Sequence, residues 1–283
     1  MSLTVFLAVL LAAALHAGWN ALAKGGADKE LSMAAVVIGH APLGLLVLAV
    51  APWPEWEAWP FVLLSMGLHF GYQVFLMNAY RVGDLTQVYP IARGTGPLIV
   101  ALVTTGLMGA HLSGQEWLAI CVITAGLFSL ALVRGRDGLR NRAATALALV
   151  TGAFIACYSL SDGVGARVAG TPWSYFAMLS VLNSVVFAGF MVWWRPGVLS
   201  RLARGEARRT FWMGGAASFA AYSIVVWAFT QAPLALVTAL RETSIVFALL
   251  IGVGLMGERL NLGKVFSTFV TLAGAALLRL GKG

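Results

Sequence analysis

Three charged residues stand where a lipid-facing chain has least tolerance for charge: Arg93, and the adjacent pair Arg241-Glu242. Arg93 lies in YPIARGTGPLIVAL and Arg241-Glu242 in ALRETSIVFALLIGVG, two runs otherwise apolar enough for a bilayer interior. A guanidinium suits a carboxylate, because its planar fork meets two oxygens at once. A carboxylate in the membrane suits an ammonium group or a proton. Even mild insertion scales charge an arginine near a helix centre about 2.5–3.5 kcal/mol, so Arg93 needs a partner. That partner is either a substrate carboxylate, which Arg93 would bind or steer, or loosened backbone carbonyls or a residue on a facing helix. Arg241 and Glu242 point about 100° apart on a helix and do not automatically pair. They would hold a zwitterion together with Arg93, or pair across the bundle and fix one conformational state. Pro90, Gly94, Gly96 and Pro97 weaken the helix around Arg93 and free backbone groups, which is tolerated only against protein or a water-filled cavity. Pro90 and Pro97 are therefore gating candidates alongside Arg241.

The remaining candidates are polar side chains in apolar runs. His69, Tyr72 and Gln73 share one stretch, with His69, Gln73 and Tyr80 on a broad helical face. His69 would bind substrate, relay a proton or make an interhelical hydrogen bond. His16 and Asn20 share a face, with Trp19 beside them, while His40 has no such company and reads as structural. Tyr222, Ser223 and Trp227 form a similar group later. Asp162, near the end of its run beside Gly163 and Gly165, is a candidate coupling carboxylate close to the membrane interface. The four histidines are scattered, with no HExxH, GxSxG or Walker-type loop, so no catalytic residue, metal or cofactor is expected. Cys121 and Cys157 imply no disulfide.

These residues must be positioned by membrane helices. Sixty per cent of the chain is hydrophobic and 11% charged, too few charges to cover a soluble domain. The net charge of +8 sits in short gaps between apolar runs, the pattern of membrane orientation rather than of nucleic-acid binding. At about 20 apolar residues per crossing, the sequence gives ten spans, near 3–23, 31–51, 58–80, 85–109, 114–133, 143–165, 172–194, 209–230, 234–257 and 263–281. The first is read as a retained helix, because it lacks the basic start of a signal peptide. The tryptophans Trp53, Trp56 and Trp59 mark an interface.

The chain also repeats itself. At an offset of 148 residues, 13 of the 40 positions from Arg93 to Leu132 are identical, including Gly106-Leu-Met-Gly109 against Gly254-Leu-Met-Gly257. Composition alone would give roughly a third of that, so a duplicated unit is the better explanation. Trp19-Asn20 aligns more weakly with Tyr158-Ser159. The expected fold class is an all-α integral membrane protein of ten transmembrane helices. It reads as a five-plus-five inverted repeat: residues 1–133, a basic connection 134–142, and residues 143–283. An odd number of spans per half inverts the halves and puts a binding site near the midplane between them. The glycines at 106, 109, 254 and 257 read as close helix packing. Fourteen Lys and Arg fall on the side away from the termini and three on the terminal side. That bias puts the 134–142 and 195–209 loops in the cytoplasm.

With RGTGP and RETS in paired positions, Trp19-Asn20 near the start and Gly257-Glu258-Arg259-Leu260 closing the second signature, the chain resembles EamA-type members of the drug/metabolite transporter superfamily over nearly its whole length. It departs in having Ala110-His111 where the second copy has Glu258-Arg259. The resemblance implies a ten-helix carrier in a bacterial-type inner membrane, commonly an exporter, with amino-acid exporters among the similar members. The expected function is export of a small metabolite, amino acids first, by alternating access. The alternatives are a carrier of drugs, sugars or nucleotide-sugars, or a lipid flippase. Substrate contacts are expected from Arg93, His69, Tyr72, Gln73, Trp19, Asn20, Tyr222 and Glu242. The expected partners are the small-molecule substrate and the lipid bilayer, with the protein acting as a monomer.

Overall fold

Apolar periods this long and this free of charge leave the backbone one economical solution, in which every peptide group is paired within its own helix. The structure, a computed structural model, describes residues 1–26, 28–83, 85–133, 141–255, 257 and 262–280, and every regular element among them is helical. The elements are α1 (Leu3–Gly25), α2 (Lys29–Ile38), α3 (His40–Val50), α4 (Trp59–Val82), α5 (Leu85–Gly106), α6 (Gly114–Val133), α7 (Arg142–Val168) and α8 (Pro172–Trp194), then the short α9 (Val198–Leu202) and α10 (Gly205–Arg209). A π-turn, Thr210–Gly214, leads into α11 (Gly215–Gln231), followed by α12 (Leu234–Arg241), α13 (Ser244–Gly254) and α14 (Leu262–Leu280). Among the described residues, 8 helices are long and apolar enough to cross a membrane, counting α2–α3 and α12–α13 each as one. The expected windows 85–109 and 114–133 are filled by α5, diluted by Arg93 and its prolines, and by the 20-residue α6. Residues 134–140 of the basic connection and the Glu258-Arg259 turn lie outside the described residues.

The exterior is apolar, and many of the polar side chains are turned into a largely apolar interior. On α14, Phe266 and Phe269 face outward while Ser267 and Thr271 are fully buried. On α1, Leu3, Leu7 and Leu11 form an exposed stripe. A surface of this kind is stable only against lipid. Buried hydroxyls satisfy themselves on nearby carbonyls, as Ser267 does on Gly126 and Thr104 does on Val100 at 2.7 Å.

The helix contacts are reciprocal. α6 packs on α14 and α3 on α8; α4 on α7 is answered by α11 on α1, and α5 on α7 by α12 and α13 on α1. At the α6–α14 contact, a Cβ on Gly126 would meet Thr271 Oγ1 at 2.7 Å and Ser267 O at 3.2 Å. One on Gly274 would meet Ile123 Cγ1 at 2.6 Å and Ala119 O at 3.0 Å. Each residue in the first set lies 148 positions from its counterpart in the second, so the contact is self-complementary.

Two expectations change. Gly106 and Gly254 end their helices, and Gly109 and Gly257 have φ of 67° and 65°, with nothing within 4 Å of a Cβ at any of the four. They terminate helices rather than pack them, because a left-handed residue closes a helix end and glycine adopts it without strain. The break in helical regularity also differs from expectation. α5 continues through Pro90 and Pro97, although each removes one i→i−4 bond. The second copy breaks instead: α12 ends at Arg241, and Glu242 and Thr243 turn tightly, their N–H groups donating to Ala239 O and Leu240 O at 3.1 Å each.

One face is tied by ions. Asp28 caps α2 by accepting from Leu31 N–H at 3.0 Å, and Arg195 and Arg201 reach its oxygens at 2.7 and 3.1 Å. Arg81 pairs with Glu30 at 2.9 Å and stacks over Trp194. Burial alone would raise the Asp28 carboxyl, but the Arg195 hydrogen bond, the Leu31 amide and the two arginine charges outweigh it and hold it below its usual range. The stabilisation is therefore present above the unfolded value of about 3.9 and is lost as pH falls through the depressed folded value. Asp28→Ala is expected to lower stability by about 0.5–2 kcal/mol near neutral pH, read by thermal unfolding in detergent, with the gap closing in acid.

Candidate functional site

The break between α12 and α13 delivers three charges to one buried place. Arg93 from α5 donates through Nε to Glu242 Oε2 at 2.8 Å, and Arg93, Arg241 and Glu242 are all at least 95% buried. Arg241 Nε lies 3.9 Å from Glu242 Oε1, too far for a hydrogen bond. One carboxylate thus faces two guanidinium groups and is committed to Arg93. Each arginine also lies over an aromatic face, Arg93 over Tyr89 at 6.0 Å and Arg241 over Tyr222 at 5.8 Å.

Arg241 opens onto a cavity of about 100 Å³ built by α1, α2, α3, α4, α7, α8, α11 and α12. Six polar atoms of its lining residues are buried without a partner among the described residues: Trp19 Nε1, His40 Nε2, Gln73 Oε1, Asn183 Oδ1, and Nε and Nη2 of Arg241. Leaving such a group unpaired costs about 1–3 kcal/mol, more when it is charged. A cluster of them around one space is therefore built to be satisfied by what enters it. The apolar part of the wall is aromatic. Tyr158 stacks on His69 at 4.1 Å between centroids, and Phe176 packs on Tyr222 at 5.1 Å.

A second hub adjoins the cavity. Asp162 is fully buried on α7 and gathers four side chains from three other elements. Its Oδ1 accepts from Tyr175 Oη of α8 at 3.0 Å and from Ser65 of α4. Its Oδ2 accepts from Tyr222 Oη of α11 at 2.6 Å and meets His69 Nε2 of α4 at 3.1 Å. Tyr222 therefore bridges the two charged centres, its hydroxyl on Asp162 and its ring under Arg241.

Of the residues expected to contact substrate, Trp19, His69, Tyr72, Gln73 and Tyr222 line the cavity, as does Arg241. Arg93 and Glu242 do not; they hold each other, joining the two halves of the chain. Asn20 turns its amide back to His16 O at 2.8 Å. Pro90 and Pro97 stay within α5, away from the lining. Asp162 is fully buried inside the bundle, six residues before the end of α7 at Val168. His40, read as structural, is part of the lining and makes edge contacts with Phe176 and Phe219. Tyr158, Asn183 and Ser180 were missed as lining residues. The signal for Tyr158 was its alignment with Trp19, and that for Ser180 and Asn183 was their i, i+3 spacing in an apolar run. Among the described residues, no group of His, Cys, Asp and Glu is arranged to hold a metal.

No protein-family model and no curated protein matches the chain. Among solved structures, one crystal structure of a protein whose description states no activity superposes over 100% of both chains, with a TM-score of 0.77 at 17% identity. That likeness establishes a shared fold and nothing about chemistry.

Proposed function

We propose that this chain is a secondary transporter of the EamA type in the drug/metabolite transporter superfamily. It carries a small zwitterionic metabolite, an amino acid first, out of the cell by alternating access in a bacterial-type inner membrane. The observation that carries the reading is Arg241: a buried guanidinium with unpaired donors, facing a cavity lined by both halves of the chain. Such a group recognises a carboxylate, and the aromatic wall receives the rest of the solute. At about 10–15 Å³ per water on the same scale, the cavity of about 100 Å³ has room for about seven to ten waters, which suits a small amino acid and not a nucleotide-sugar. This reading moves the carboxylate contact from Arg93, spent on Glu242, to Arg241.

The reciprocal helix contacts and the self-complementary Gly126–Gly274 contact support ten spans arranged as a five-plus-five inverted repeat. In that architecture the two halves exchange conformations around a fixed site. The Arg93–Glu242 pair then links the halves beside the site. Positive residues gathered at the Asp28 network support a cytoplasmic placement of that face.

The binding claim is tested by thermal unfolding of purified protein with a panel of amino acids and their carboxamides. A ligand present at 100 times its Kd stabilises by about 2.7 kcal/mol. At least one amino acid is expected to raise the midpoint while its carboxamide does not. Equal stabilisation by acid and amide would remove the carboxylate from the account.

A further inference from the structure

We infer that the groove where α10 turns into α11 binds the phosphate of an anionic phospholipid, held by Arg208 and Arg209, with Trp212 against the start of the acyl chains. The site lies outside the central cavity, and the inference stands whatever the protein carries.

The basic connection between α8 and α11 holds two kinds of arginine. Arg195 and Arg201 are committed to Asp28, at 2.7 and 3.1 Å. Arg204, Arg208 and Arg209 are exposed, and no carboxylate reaches them among the described residues. Glu206, also exposed, is the one acid among these three, so positive charge dominates the segment. Ala203, Gly205, Arg208, Arg209 and Trp212 line an open groove of about 390 Å³. Two guanidinium groups and an indole thus face one space, and its far wall is small: nothing lies within 4 Å of a Cβ built on Gly205.

The depth of the groove fits a headgroup. Arg208 and Arg209 directly precede the apolar run of α11, while Trp212, Met213 and Trp193 are 56%, 52% and 75% exposed on the outer surface. Exposed tryptophan settles at the boundary between headgroups and acyl chains. A guanidinium fork meets phosphate oxygens in pairs, and basic residues clustered beside a membrane helix attract anionic lipid. A soluble phosphate would meet the same arginines but would leave the indole and Met213 uncovered; a lipid satisfies both. The repeat does not account for the arginines. α4 is the counterpart of α11, and the connection before it, residues 51–58, holds Glu55 and Glu57 and no basic residue. Joining two spans at this place in the fold therefore needs no cationic groove.

The test is the thermal midpoint of the purified protein in a neutral detergent, titrated with short-chain phosphatidylglycerol, with phosphatidylcholine of the same chain length, or with inorganic phosphate. Phosphatidylglycerol is expected to raise the midpoint, and the other two to leave it unchanged. An equal rise with phosphatidylcholine would make the contact one of chains alone, and an equal rise with inorganic phosphate would make it a site for soluble anions; either overturns the inference. The double variant Arg208→Gln/Arg209→Gln is expected to need about 30-fold more phosphatidylglycerol for the same rise, the loss of two arginines near a membrane surface. A response equal to that of the wild type overturns the assignment of these two residues. Should the lipid-free double variant prove unstable, the wild type decides alone. Raising salt from about 0.1 M to about 1 M shortens the screening length about threefold and is expected to abolish the rise, whereas a rise that persists in salt overturns an electrostatic headgroup site.

Discussion

Arg241→Ala is expected to abolish measurable transport while leaving the protein at least as stable as the wild type. Arg241 is buried and makes no hydrogen bond among the described residues, with Nε and Nη2 unpaired. Its removal therefore takes away an uncompensated charge rather than a structural bond. Glu242 keeps its 2.8 Å contact with Arg93. Losing one charged contact to a carboxylate removes about 1.5–3 kcal/mol, or roughly 10- to 100-fold in affinity. Arg241→Lys keeps the charge but loses the two-pronged geometry, and is expected to fall between. Initial rates in liposomes and the thermal midpoint in detergent give the two readouts. A variant that loses transport and stability together would point to a structural arginine.

Glu242→Gln is expected to be the most destabilising of the substitutions considered. It leaves Arg93 and Arg241, both buried, with no carboxylate between them. Breaking a buried ion pair from one side costs about 3–5 kcal/mol, because the remaining charge stays desolvated. Adding Arg93→Met to Glu242→Gln removes the stranded charge on α5 and is expected to restore much of the loss. Arg93→Ala alone behaves differently: Glu242 then has Arg241 within 3.9 Å and turns to it. That variant is expected to fold but to transport poorly, since the group proposed to bind substrate is now occupied. Unfolding midpoints across this series form a double-mutant cycle. A loss for Glu242→Gln below about 1 kcal/mol, within the range of surface pairs, would deny the pair its role.

Much of this was legible in the residue order. Apolar run lengths place helices because lipid admits no other pairing of the backbone, and the windows 114–133 and 172–194 coincide with α6 and α8 to the residue. The 148-residue offset located Gly126 and Gly274, and the structure sets them into reciprocal contacts. The polar candidates on α1, α4 and α11 were legible because a polar side chain in an apolar run must face protein or water.

Which arginine faces the cavity was not legible. Arg93 and Arg241 hold equivalent places in the repeat, and only the turn at Glu242-Thr243 sends one to the carboxylate and the other to the lining. Proline chemistry pointed to a break in α5, whereas the break lies in the copy without proline, where Thr243 Oγ1 donates to Leu240 O at 2.7 Å inside a tight turn. Asp162 lies near the end of its apolar run, and run length alone does not tell which side chains pack around it there. The Asp162 hub joins side chains 13 to 97 positions apart, a convergence that no local pattern encodes.

The most direct measurement is counterflow of a panel of labelled amino acids into liposomes holding wild-type or Arg241→Ala protein, with sugars and organic cations run alongside. The account predicts saturable exchange of one or more amino acids by the wild type, none of their carboxamides, and none by the variant. Folded wild-type protein that exchanges sugars or cations but no amino acid, or a variant that exchanges as fast as the wild type, would contradict it.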